Sequence, residues 1–156
     1  MCFDRLDNDD DKALKAYCQL EKKDPNALTD EEQDEVALRA CNHIGFFFTW
    51  LIRRNFIGEL HRERPQVLER VRTGEVSGAD FFLSECDGKF WDEDVCPEVL
   101  PFVEAYYGKG LYWMAYVNWV LNDLCDLPLE FVGSWEDYLQ FEPMLDGAYQ
   151  ALSTQG

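Results

Sequence analysis

VALRACNHIGFFFTWLIRRN, Val36 to Asn55, is the longest apolar-periodic run in the chain. At about 100° per residue, Val36, Ala40, Ile44, Phe47, Phe48, Leu51 and Ile52 fall on one wide stripe, with Ala37 and Cys41 filling it out. Phe46 and Trp50 lie outside that stripe, so only a narrow strip of Arg39, Asn42, Thr49 and Arg53 is polar. A helix this apolar has to be contacted on more than one side. The run therefore reads as a buried central helix over residues 30–54. Its start is marked as well: Thr29 and Glu32 fit a T-x-x-E capping box, and Asp30, Glu31 and Glu32 place negative charge at the positive end of the helix dipole.

Outward from this helix, the punctuation predicts more helices. Residues 1–11, MCFDRLDNDDD, read as an acidic flexible lead, and a helix follows over 11–23 with Asp10 as its cap, ended by Asp24-Pro25-Asn26. Pro65 suits the first position of a helix that Gly74 ends. Ser77 with Asp80 starts another, closed by Gly88. A helix through Val99, Phe102 and Val103 to Tyr107 begins near Pro101, and Gly108-Lys109-Gly110 separates it from Leu111–Leu124, whose buried stripe is expected at Trp113, Val117, Val120, Leu121 and Leu124. Ser134 with Asp137 caps one more helix, and Pro143 is expected to divide it from a last one. Only Leu129–Val132 resembles a strand. The expectation is an all-α fold, one compact domain of six to eight helices over residues 12–152.

The chain has 156 residues, 47% hydrophobic and 15% aromatic, with a net charge of −17. That length fits one domain with one core, and that composition suits a packed globule. The acidity is uneven: residues 1–72 hold 12 Lys or Arg against 15 acids, whereas residues 73–156 hold only Lys89 and Lys109 against 16. Such a field repels nucleic acid and anionic membranes and favours encounter with a basic partner. Arg53, Arg54, Arg62, Arg64, Arg70 and Arg72 form one basic stretch, interleaved with glutamates and suited to neutralising the chain's own acidic half. Six cysteines lack any C-x-x-C pair, no apolar run has the length of a membrane span, and the acidic N-terminus has no signal-peptide core. A reducing, cytoplasmic location is expected.

Chemical motifs are sparse. His43 sits at the edge of the apolar stripe, where a histidine more often packs than reacts. His61, in the Arg-rich HRER segment, reads as exposed, and the two histidines are too far apart to suggest a metal site. Asp87 to Glu98 has the length of an EF-hand loop, but Lys89 and Trp91 stand where oxygens are needed and the glycine is missing. Ser134 is a helix cap rather than a nucleophile. No metal, no cofactor and no enzymatic activity are expected.

The segments Asn42–Trp50 (NHIGFFFTW), Ser77–Phe82 (SGADFF), Cys86–Lys89 (CDGK) with Asp92–Asp94 (DED), Tyr106-Tyr107 and Ser134–Tyr138 (SWEDY) together resemble a family of small acidic bacterial proteins of unknown biochemical function. The likeness spans residues 25–150 and implies an all-helical fold, with no catalytic residues to carry over. This chain departs from it in a longer N-terminal helical region and in Trp91, where a smaller or polar residue is expected. In composition it is also similar to the immunity proteins of bacterial polymorphic-toxin systems. The expected function is therefore binding and neutralising a cognate toxin or another basic protein. Asp87, Asp92, Glu93, Asp94, Glu136 and Asp137 are the expected contacts, with Trp91 and Trp135 as aromatic anchors. Three alternatives are a small-ligand protein or an enzyme using a pocket near His43 and Trp50, and an accessory regulator of a basic protein. A pocket at His43 predicts a partly polar cavity that reaches solvent there.

Overall fold

The structure, a computed structural model, describes residues 1–154. Among the described residues, six helices and one small sheet surround the central helix α2 (Asp30–Arg53): β1 (Cys2–Arg5), α1 (Asp10–Glu21), α3 (Pro65–Arg72), α4 (Gly78–Glu85), β2 (Lys89–Trp91), α5 (Leu100–Tyr106), α6 (Leu111–Asn122) and α7 (Trp135–Ser153). Single 3-10 turns cover Leu6–Asn8, Pro25–Ala27, Glu59–His61 and Asp92–Asp94. The all-α expectation holds.

The capping box that starts α2 is formed: Thr29 Oγ1 accepts from Glu32 N–H, and the Glu32 carboxylate accepts from Thr29 N–H. Every residue from Ala40 to Ile52 is buried, including Asn42 and Thr49 of the strip expected to stay polar. Burial on all sides follows from three consecutive phenylalanines aimed in three directions. Phe46 packs among Tyr116 and Trp119 of α6 and Tyr138 and Phe141 of α7, Phe47 against Tyr107 and Tyr112, and Phe48 against Phe81, Phe82 and Phe90. Its polar members are satisfied internally: Thr49 Oγ1 donates to the Gly45 carbonyl, and Asn42 donates to the Tyr116 hydroxyl while accepting from Gly133 N–H.

Four expectations about elements are corrected. The lead is no loose tail, because β1 pairs antiparallel with β2, Cys2 opposite Trp91 and Arg5 opposite Lys89, with a bulge between Cys2 and Asp4. Leu129–Val132 is loop, with Phe131 inserted among the aromatics of α2 and α6. Pro143 lies inside a continuous α7, on its exposed side, where water can serve the carbonyl that loses its donor. The buried face of α6 is Tyr112, Tyr116, Trp119 and Val120, while Leu121 is exposed. Tyrosine rings bury there because their hydroxyls find partners, Tyr112 at the His43 carbonyl and Tyr116 at Asn42.

The basic stretch pairs largely as expected. Arg53 and Arg54 at the end of α2 reach Glu142 and Asp146 of α7, and Arg64 reaches Glu85.

Candidate functional site

His43 is the polar residue of α2 around which other elements converge. The bulge in β1 doubles Cys2 and Phe3 opposite Trp91, and a bulge of this kind re-aims the residues that follow it. Asp4 thereby meets His43, its Oδ2 lying 3.3 Å from Nε2. Tyr107, at the C-terminal cap of α5, donates its hydroxyl to the same Asp4 oxygen at 2.5 Å. Asp4 Oδ1 accepts from Asn8 and from Arg5 N–H, so both oxygens of this carboxylate are engaged. Burial raises the pKa of Asp4, but His43, Tyr107 and Asn8 together outweigh it and hold the group below the ordinary aspartate range. The Tyr107 phenol is pushed up by burial and by the Asp4 charge and stays a donor.

Asp9 is different. It stands at the N-cap of α1, yet its side chain makes no capping bond, and its Oδ2 lies 3.8 Å from His43 Nε2. Among the described residues its side chain makes no hydrogen bond, and its ion-pair contact is this one with His43. Burial raises its pKa, the Asp4 charge adds to that, and His43 and Lys12 only partly offset it. Here is a carboxylate held in place without a matched cation.

These groups line a cleft of about 270 Å³ that opens to solvent, with Phe3, Tyr112 and Trp113 as its aromatic walls. The His43 ring meets Trp113 edge-on at 4.7 Å between centroids. Two carboxylates face one imidazole, so the cleft stays negative by one charge even when His43 is protonated. It suits a cation with an apolar stem, which Asp9 receives and the aromatic rings flank.

His61 anchors a second cluster. It is buried, contrary to expectation: its Nε2 is 2.8 Å from Asp94 Oδ1 and 3.8 Å from Cys86 Sγ. A Cys–His–Asp set invites a nucleophilic reading, which the geometry does not support. A relay needs the thiol on one ring nitrogen and the carboxylate on the other, whereas Cys86 and Asp94 both face Nε2. Burial, with the Asp94 and Glu85 charges, also pushes the Cys86 thiol up, away from the reactive thiolate.

The residues expected to contact a partner fall in two places. Asp87, Trp91, Asp92, Glu93 and Asp94 follow α4, while Trp135, Glu136 and Asp137 open α7 beside the N-terminal end of α4. Trp91 is 41% exposed and Asp87 and Glu93 are exposed. Asp92 is bound by the Met1 ammonium at 3.0 Å. Asp94 is withdrawn: it is buried, caps Trp91 N–H and holds His61. Asp137 caps Ser134 N–H, Glu136 is exposed, and Trp135 is half-buried, stacked on Tyr138 with the Arg53 guanidinium over its ring. Trp50 does not share the His43 pocket. It lies seven residues on, about 10 Å along the helix axis, fully buried, with its indole N–H donated to Asp146.

Sequence patterns missed Asp4, Asp9 and Tyr107. An aspartate at an N-cap that declines to cap becomes visible only once β1 is in place. Among the described residues no helix is long and apolar enough to cross a membrane. Comparison with curated proteins finds no match, and comparison with solved structures finds none. A family model, Domain of unknown function (DUF7832), matches residues 17–128, and the chain belongs to that family.

Proposed function

We propose that this protein is a binding module for a basic partner protein, and that the His43 cleft receives a cationic side chain of that partner. The observation that carries the proposal is Asp9, a half-buried carboxylate with no counter-charge at hydrogen-bond distance, in a negative, aromatic-walled cleft open to solvent. A guanidinium or ammonium group entering there supplies the missing charge-assisted hydrogen bond. Asp7, Asp10 and Asp11, which flank Asn8 and Asp9 in sequence, within a chain of net charge −17, favour rapid encounter with a basic surface. Trp91 lies outside the cleft: Asp4 pairs with Phe90, so the bulge leaves the exposed Trp91 side chain on the opposite face of the sheet from Asp4. Trp135, Glu136 and Asp137 lie at the other end of α4 and fall outside this surface.

Neutralising a cognate bacterial toxin is the form of this function that the acidic chain suits best. A toxin that acts on nucleic acid carries a basic cleft in which carboxylates can replace phosphates. The second reading, a free small-molecule cation in the same cleft, is favoured by its volume and its partly polar lining, as expected for a ligand pocket at His43.

Affinity capture from the source cell, with the tagged protein as bait at low and moderate salt, tests the proposal. One basic protein should be retained by the native bait, weakened by salt, lost with Asp9→Asn and kept with Glu136→Gln. Retention unaffected by Asp9→Asn, or lost equally with Glu136→Gln, contradicts it, and no retained protein moves the reading to the free cation.

A further inference from the structure

The cluster of His61, Cys86 and Asp94 has no role in the cleft and carries a different chemistry. Three donor atoms of three kinds, imidazole Nε2, thiol Sγ and carboxylate Oδ1, lie within 4.8 Å of one another. They come from separate elements: the Glu59–His61 turn, the residue after α4, and the Asp92–Asp94 turn. The two turns are clamped by backbone bonds, Gly58 N–H to the Asp94 carbonyl at 2.7 Å and Cys96 N–H to the Phe56 carbonyl at 2.8 Å, with an Ile57–Val95 bridge between. Their approach at Gly58 is so close that a Cβ there would lie 2.3 Å from the Glu93 carbonyl oxygen. The donors are thus held by the fold rather than by flexible loops.

We infer that His61, Cys86 and Asp94 form a zinc site. One imidazole nitrogen facing both other donors is useless for a proton relay, but it is the arrangement of ligands around an ion. Metal–donor distances of about 2.0 Å to nitrogen and oxygen and about 2.3 Å to sulfur, at tetrahedral angles, place neighbouring donors roughly 3.3–3.5 Å apart. The observed 2.8 Å and 3.8 Å need shifts of only a few tenths of an ångström. A mixed nitrogen, sulfur and oxygen set selects zinc over magnesium or calcium. The second oxygen of Asp94 is fixed by Trp91 N–H at 2.7 Å, and the His61 ring packs edge-on against Phe81, so both ligands are oriented from outside the site. On binding, Cys86 becomes a thiolate and its proton passes to solvent. The fourth position falls to water, and the bound ion ties the segment after α4 to both turns.

The test uses Co²⁺ as a spectroscopic substitute and Zn²⁺ as competitor on the full-length protein. The expected result is a thiolate-to-cobalt charge-transfer band that saturates at one ion per chain and is displaced by Zn²⁺. Cys86→Ser should remove the band with near-ultraviolet dichroism unchanged, and Cys2→Ser and Cys125→Ser should keep it. Asp94→Asn, whose amide oxygen still accepts from Trp91 N–H, should weaken zinc binding at least tenfold and gives an independent reading if Cys86→Ser does not fold. No band, a band that survives Cys86→Ser, or zinc affinity unchanged in Asp94→Asn overturns the assignment.

Discussion

Single residues decide how closely the core assembles. A Cβ on Gly78 would lie 1.9 Å from the Gly45 carbonyl oxygen and 2.2 Å from Thr49 Oγ1, and one on Gly45 would lie 2.3 Å from Ala79 N. α4 can cross α2 this closely only because both positions lack a side chain. Gly78→Ala should therefore destabilise by about 3 kcal/mol, a fall in Tm of roughly 6–12 °C for a chain of this length, read by thermal or urea unfolding. Asp9 predicts the opposite sign. A carboxylate whose folded pKa is raised loses stability by being ionised, so the native protein at neutral pH carries a small cost that Asp9→Asn removes. Solvent screening keeps the gain modest, a rise in Tm of about 1–2 °C, alongside loss of partner binding. A variant less stable than native would place Asp9 in the fold's framework rather than in its site.

Between elements, the clamp between α2 and α7 is the polar joint of the molecule. Glu142 accepts from Arg53 at 2.6 Å, from Arg54 at 2.9 Å and from the Tyr138 hydroxyl at 2.6 Å, while Asp146 receives Arg54 and the Trp50 indole. Burial raises the pKa of Glu142, but these partners more than offset it and hold the group below its ordinary value of 4.5, and Arg54 first among its causes holds Asp146 below 3.8. Depressed carboxylates give stability that is present above their unfolded values and lost as pH falls through the folded ones. Tm should drop on acidification below about pH 4.5, and less steeply in Glu142→Gln. Glu142→Ala should cost about 2 kcal/mol at neutral pH, because it strands the Tyr138 hydroxyl and loosens two guanidiniums. Equal acid sensitivity in Glu142→Gln and native protein would remove this clamp from the pH response.

Legibility also divides at this scale. The starts of α2, α4 and α7 were readable because Thr29 with Glu32, Ser77 with Asp80 and Ser134 with Asp137 are chemistry between residues three apart. β1 was not, since its partner Lys89–Trp91 is distant in sequence and neither segment alternates long enough to announce a strand. The phase of α6 was misread because hydropathy treats Tyr112 and Tyr116 as half-polar, while their hydroxyls are satisfied inside. His61 looked exposed among arginines, and only the clamped turns bring Asp94 over it. His43 was visible as a residue, but its site was not, since Asp4 and Asp9 arrive on the segment that composition marked as loose.

At the scale of the whole molecule, the charge of −17 and the cleft give a two-step account of binding. In the proposed binding, long-range attraction would set how often a basic partner arrives and would be weakened by salt, whereas the His43 cleft would set how long a cation stays. The family match begins at residue 17, so it covers His43, Tyr107 and Trp113 while Asp4 and Asp9 precede it. The cleft is thus completed by the segment outside the matched span. The most direct test of this site is a nuclear magnetic resonance titration of the labelled protein with arginine ethyl ester, in native and Asp9→Asn forms. The account predicts saturable shifts centred on the Trp113 indole and the His43 ring, absent in Asp9→Asn, and fading on acidification at a higher pH than an ordinary aspartate would give. Shifts spread over the acidic surface, or unchanged in Asp9→Asn, would contradict it.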